Sequence, residues 1–230
     1  MFFIYIFNIY ISNMSDFSLE ICIIGDSSVG KTTFSYLLTT SKFNYKSTPT
    51  IGLEFAAKYF KYELNDKFYN FKWNIWDTAG QECYKSLVSS YYRKGTVFLL
   101  LFDLSSNDSF ISISYWLDEI IKNNNGTKFI YLIGNKSDKT HKVSGHEIKK
   151  FIDTNNLKYF ELSLKNKDNF NQLIDKINLD IIQYVDDLTI MKSDKEKLGF
   201  KFLHQFENIK NLNLSKEREN CYVNSCCNIS

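Results

Sequence analysis

Residues 19–32 read LEICIIGDSSVGKT: an apolar run, a glycine, four small residues, a second glycine, a lysine and a hydroxyl. The run 19–24 has the continuous apolar character of a buried strand, and 30–40 has helical patterning. The corner between them, Gly25 to Thr32, fits G-x-x-x-x-G-K-[ST] in the setting that motif requires, after a strand and before a helix. Glycines let backbone N–H groups converge on phosphate oxygens, and the helix start adds its positive dipole end. Gly25, Asp26, Ser27, Ser28, Val29, Gly30, Lys31, Thr32 and Thr33 are therefore read as a cradle for a polyphosphate. Lys31 reaches its outer phosphates, and the Thr32 hydroxyl holds Mg²⁺.

Strand and helix patterns alternate away from this corner. Residues 53–64 and 67–76 suggest an antiparallel hairpin turning at Asn65-Asp66. The runs 97–102 (VFLLLF) and 129–133 (FIYLI) are too uniformly apolar for a half-exposed strand and predict buried parallel strands. Helical patterns cover 109–122, 145–154 and 168–185, with a short strand near 158–162. The expected fold is α/β: a six-stranded, mostly parallel sheet with one antiparallel edge strand and helices on both faces. Ligands in such sheets lie at the carboxyl ends of the strands.

Two further stretches sit at such strand ends. Residues 134–138, GNKSD, offer Asp138 as an acceptor for the paired N–H donors of guanine, which adenine lacks. A polar turn with a loose helix cap is the plainer reading of that pentapeptide taken alone. Residues 76–82, WDTAGQE, place Asp77 to hold a magnesium shell through water. Gly80 offers an unobstructed N–H to a terminal phosphate, and Gln81 can orient an attacking water.

GDSSVGKT, TPTIGLEF, WDTAGQE, GNKSD and ELSLKN occur in an order and at spacings that resemble small GTPases of the Ras superfamily, over roughly residues 17–185. Residues 51–55 (IGLEF), 91–95 (YYRKG) and 101–103 (LFD) resemble segments of the Rab branch. The resemblance implies a P-loop GTPase G domain over 17–185, with 1–16 as an N-terminal extension and Met14 as a candidate start, and 186–230 as a hypervariable tail. It implies GTP or GDP as ligand and Mg²⁺ as cofactor, with Thr50 as a second magnesium hydroxyl and Phe43 against the guanine ring. Asn135 and Asp138 would read the base, Lys136 would lie along it, and Ser163, Leu164 and Lys165 would complete its pocket. Lys31 and Gln81 would carry slow hydrolysis. Ile51, Phe55, Trp76 and Tyr91 would meet effectors, although an aromatic in such a sheet is as readily core.

Partners implied are an exchange factor, a GTPase-activating protein, a GDP-dissociation inhibitor or escort protein, and Rab effectors, around a monomeric G domain. The implied role is a membrane-anchored switch in vesicular trafficking, on the cytoplasmic face of an intracellular membrane and cycling with cytosol. A Ras-type prenylated signalling protein, a GTP-bound scaffold with little hydrolysis, and a P-loop kinase or ATPase are the alternatives; GNKSD disfavours the last. Leu164 stands where the family usually has alanine, Cys83 where it has arginine, and Ser27 and Ser28 where many members carry glycine.

Bulk properties agree with this frame. Across 230 residues the net charge is +2, which provides no strong field for nucleic acid. Five cysteines contain no C-x-x-C pair, so a disulfide framework or zinc site is disfavoured. The opening MFFIYIFNIYISN is shorter than the roughly 20 apolar residues a membrane-spanning helix takes. The tail 186–230 holds seven basic and seven acidic residues and ends in Cys226-Cys227-Asn228-Ile229-Ser230. A cysteine doublet points to two prenyl groups, and CNIS also fits a single-lipid C-a-a-X box. One lipid needs a second signal, often basic, and this tail has no basic excess, which favours two.

Overall fold

In the computed structural model the described residues are 14–43, 53–64, 67–78, 91–126 and 128–187. The elements run β1 (Met14–Ile24), α1 (Lys31–Thr40), β2 (Leu53–Leu64), β3 (Lys67–Thr78), β4 (Val97–Asp103), α2 (Asn107–Ile111), α3 (Ile113–Asn123), β5 (Phe129–Asn135), α4 (Gly145–Asn155), β6 (Lys158–Glu161) and α5 (Lys167–Asp187). They form one six-stranded sheet in the order β2-β3-β1-β4-β5-β6. Only the edge strand β2 is antiparallel to its neighbour.

Alternation along β1 builds both cores. Phe17, Leu19, Ile21 and Ile23 face one side, where they pack with Phe34 and Leu37 of α1 and with Ile177 and Ile181 of α5. Cys22 and Ile24 face the other, with Ile113, Leu117 and Ile120 of α3 and Ile148 of α4. Every residue of β4 is buried, which is why its sequence shows no polar alternation.

Two elements differ from their sequence pattern. β1 begins at Met14, not near residue 19, because 14–18 continue the parallel ladder along β3, Met14 opposite Phe68. The helix expected over 109–122 is broken at Ser112. Its φ of −65° stays helical, and both its hydroxyl and its backbone N–H donate to Asp108 O at 3.0 Å.

The sheet order fixes where a ligand can sit. β1 is central, and the chain leaves it first toward β3 and later returns on the other side as β4. The carboxyl end of β1 is thus the place where a sheet of this order leaves a crevice. Asp77 is in register with Ile23, and Asn135 pairs with Asp103, so Asp77, Asn135 and the corner after β1 end up at one rim.

Candidate functional site: a stitched phosphate and base cradle

The loop leaving β1 is shaped by backbone constraint. Gly25 has φ 144° and Gly30 φ 111°, conformations that favour glycine. A Cβ on Gly25 would overlap the carbonyl oxygen of Leu101, and one on Gly30 would sit 2.5 Å from Asn135 Nδ2. Ser28 is also left-handed, at φ 65°. α1 starts at Lys31 with no side-chain cap and no acidic residue in its first turn, leaving its amide end suited to an anion.

Lys31 curls back into this loop. Its Nζ donates to Gly25 O at 2.8 Å and Asp26 O at 2.6 Å. Burial pulls the ammonium down to about 8, against the opposing influence of Asp77 and Asp26. Asp77, at the end of β3, has no exposed surface, and burial pushes its carboxyl up to about 6. Neither oxygen has a partner in hydrogen-bonding geometry, although the Thr32 hydroxyl and the Lys31 ammonium lie near enough to favour the charged form.

A buried carboxylate with orphan oxygens is costly unless a cation compensates it. An oxygen donor beside a hydroxyl, at the rim of a phosphate loop, fits magnesium, which takes few carboxylates and completes its shell with phosphate and water.

The base-side loops are tied to the phosphate loop. Buried Asn135 donates from Nδ2 to Val29 O at 2.8 Å and accepts at Oδ1 from Leu164 N–H at 3.2 Å. Lys136, at φ 65°, donates to Ser28 O at 2.8 Å and to Asp103 Oδ2 at 2.6 Å. Asp138 accepts from Lys165 Nζ and from Ser163 Oγ, each at 2.6 Å. These bonds, Lys165 first, hold its carboxyl down at about 2. It stays ionised at neutral pH with acceptor capacity to spare.

A profile described as the Ras family matches residues 20–183. The chain is 34% identical to GTP-binding protein ypt3 of Schizosaccharomyces pombe over 181 residues, 78% of this chain and 83% of that one. It is 34% identical to human Ras-related protein Rab-27B over 176 residues, 73% and 80% respectively. Identity to Ras-related protein Rab11E of Lotus japonicus is also 34%, over 182 residues, 78% and 82%. The chain is a Rab-family small GTPase of the Ras superfamily.

Several expected residues of this GTPase lie outside the described residues: Thr50, Ile51, Gly80, Gln81, Cys83, Cys226 and Cys227. Two of the described departures from the family pattern, Leu164 and Ser28, have a physical account. Leu164 is buried and belongs to the first core, its Cδ1 3.3 Å from where a Cβ of Gly30 would lie. The larger side chain fits because glycine leaves room for it, and its N–H donates to Asn135 Oδ1. Ser28 takes up a glycine-like turn while its carbonyl anchors Lys136. Phe43 is partly buried against the same core.

Phe55, Trp76 and Tyr91 form one continuous cluster, with ring centroids 4.7 Å and 4.5 Å apart in sequence. Phe55 is 55% exposed, so the cluster presents a surface. Trp76 is pinned by Glu20 of β1, which accepts from its Nε1 at 2.6 Å and from Asn74 Nδ2 at 2.8 Å.

Glu20, Asp103 and Trp116 were not among the residues expected from the motifs. Glu20 had a signal, a carboxylate inside LEICII. Asp103 had a weaker one, an acid at the end of a buried strand. Trp116, whose Nε1 donates to Asp26 Oδ1 at 2.8 Å, had none.

Proposed function

We propose that this GTPase is a magnesium-dependent switch that hydrolyses GTP slowly and acts from an intracellular membrane in vesicular trafficking. One observation carries the guanine assignment: the Asn135–Asp138 segment is fastened to the phosphate loop through Asn135–Val29 and Lys136–Ser28. One ligand can therefore present its base to Asp138 and its phosphates to Gly25–Thr32.

Lys31 would leave its two carbonyls for the β- and γ-phosphates. Thr32 and Thr50 would hold magnesium, with Asp77 behind a water, and the ion when bound would neutralise phosphate charge. Gln81 would orient the water that attacks the γ-phosphorus. The bond from that phosphorus to the β–γ bridging oxygen breaks, GDP takes up the oxygen's charge, and inorganic phosphate leaves. Catalysis of this kind is positioning plus electrostatics. The described residues include no arginine in the cradle, which supports slow turnover alone and acceleration by a partner's arginine.

The Rab-named relatives support regulators of the expected kinds, namely exchange factor, activating protein and dissociation inhibitor, together with effectors reading Ile51, Phe55, Trp76 and Tyr91. The terminal cysteine pair supports anchoring by prenyl groups on Cys226 and Cys227.

The test is competition against a labelled guanine nucleotide on purified protein with Mg²⁺. GTP is expected to outcompete ATP by about 10⁴-fold, because adenine leaves the Asp138 acceptors unpaired. Asp138→Asn is expected to shift preference toward xanthine nucleotides. Equal displacement by GTP and ATP would reject the assignment.

A further inference from the structure

The phosphate loop contains its own acid. Asp26 directly follows Gly25, in a loop that on the reading above receives a polyphosphate. A carboxylate turned toward such an anion would weaken binding by like-charge repulsion. Here it is held at two points. The Asp26 carbonyl accepts from Lys31 Nζ at 2.6 Å, and its Oδ1 accepts from Trp116 Nε1 at 2.8 Å. Main chain and side chain of one loop residue are thus both fixed, the second from a helix 90 residues away in sequence.

Trp116 has little freedom to leave. It is half-buried against the second core, lies edge-on to Tyr115 with centroids 5.1 Å apart, and follows the Ser112 break, where its backbone N–H donates to Ser112 O at 3.2 Å.

We propose that Trp116 is a positioning residue for nucleotide binding: its indole N–H keeps the Asp26 carboxylate away from the phosphates, and so keeps in place the loop from which Lys31 would reach them. The inference rests on the GTP-binding reading. Trp116 itself touches no reacting atom.

The experiment measures release of a fluorescent GDP analogue from the full chain with Mg²⁺, for Trp116→Phe, Asp26→Ala and the double variant. Trp116→Phe keeps the ring and loses the donor, and is expected to release about tenfold faster. In the Asp26→Ala background the same change is expected to do nothing further, since the acid it restrains is gone.

A merely structural tryptophan would give the same loss in both backgrounds, and that result would overturn the proposal, as would unchanged release from the single variant. The ¹⁵N-indole resonance of Trp116 in the nucleotide-bound protein is an independent readout. It is expected to move on Asp26→Ala while those of Trp73 and Trp76 stay. If Trp116→Phe does not fold, this resonance decides, and a signal that stays put rejects the bond. Parent protein that retains no guanine nucleotide would sink the functional reading instead, whatever the resonance does.

Discussion

Asp77 is held at a cost in the described structure. Its carboxyl is pushed up to about 6 by burial, while the unfolded chain titrates near 3.8. As pH rises from about 4 to about 6, the unfolded form loses its proton first. The nucleotide-free fold then loses stability across that window. Lys31, lowered from 10.5 to about 8, works at the other end. As pH falls from about 10.5 to about 8, the unfolded chain binds the proton first, and stability drops again. Both penalties are in force at pH 7.

Asp77→Asn is therefore expected to stabilise the magnesium- and nucleotide-free protein by about 1–2 kcal/mol at pH 7 and to flatten the slope between pH 4 and 6. It should weaken magnesium-dependent nucleotide retention at the same time, trading function for stability. Urea unfolding in chelator across pH, beside nucleotide release with and without Mg²⁺, measures both effects; a less stable variant would contradict the cost assigned to the orphan oxygens. At this scale the sequence was legible wherever backbone geometry dictates residue type. Gly25 and Gly30 are glycines because a Cβ would meet Leu101 or Asn135. It was silent on Trp116, because one bond between side chains 90 residues apart leaves no local pattern.

Among elements, burial decided what could be read. VFLLLF and FIYLI announce buried strands through their own composition, and the hairpin of β2 and β3 through its alternation. The division at Ser112 was hidden, because serine is tolerated in helices and its backbone there stays in the helical region. The joint between α3 and the helical residues 91–94 was hidden too. There Asn124, 2% exposed, donates to Tyr92 O at 2.6 Å and Gly95 O at 2.8 Å and accepts from Gly126 N–H. Asn124→Ala leaves those carbonyls unpaired and is expected to cost about 2–3 kcal/mol. Chemical denaturation gives the magnitude, and amide exchange at 91–95 should quicken in step; a cost below about 0.5 kcal/mol would mean that water replaces the clamp.

For the whole molecule, the site's location followed from strand order, since the carboxyl end of a central strand flanked by later strands is where such sheets leave a crevice. Its internal wiring did not follow, because Asn135 and Lys136 were expected to face a base and are seen also to grip the phosphate loop. The tail gives a prediction at the same scale. Changing Cys226 and Cys227 together to serine should abolish partition into a cellular membrane fraction, and changing one should weaken it, as read by fractionation and by mass spectrometry of the attached lipids. Unaltered partition of the double variant would mean that the chain is held by something else.

The wiring also has a mechanical corollary. A guest spanning two independent jaws can escape when either opens, but here the Asn135–Val29 and Lys136–Ser28 bonds couple the two walls of the cradle. On the proposed reading, departure would begin at the end those bonds do not span, around Asp77 and Lys31, and a catalyst of exchange would apply its lever there while the purine is still seated.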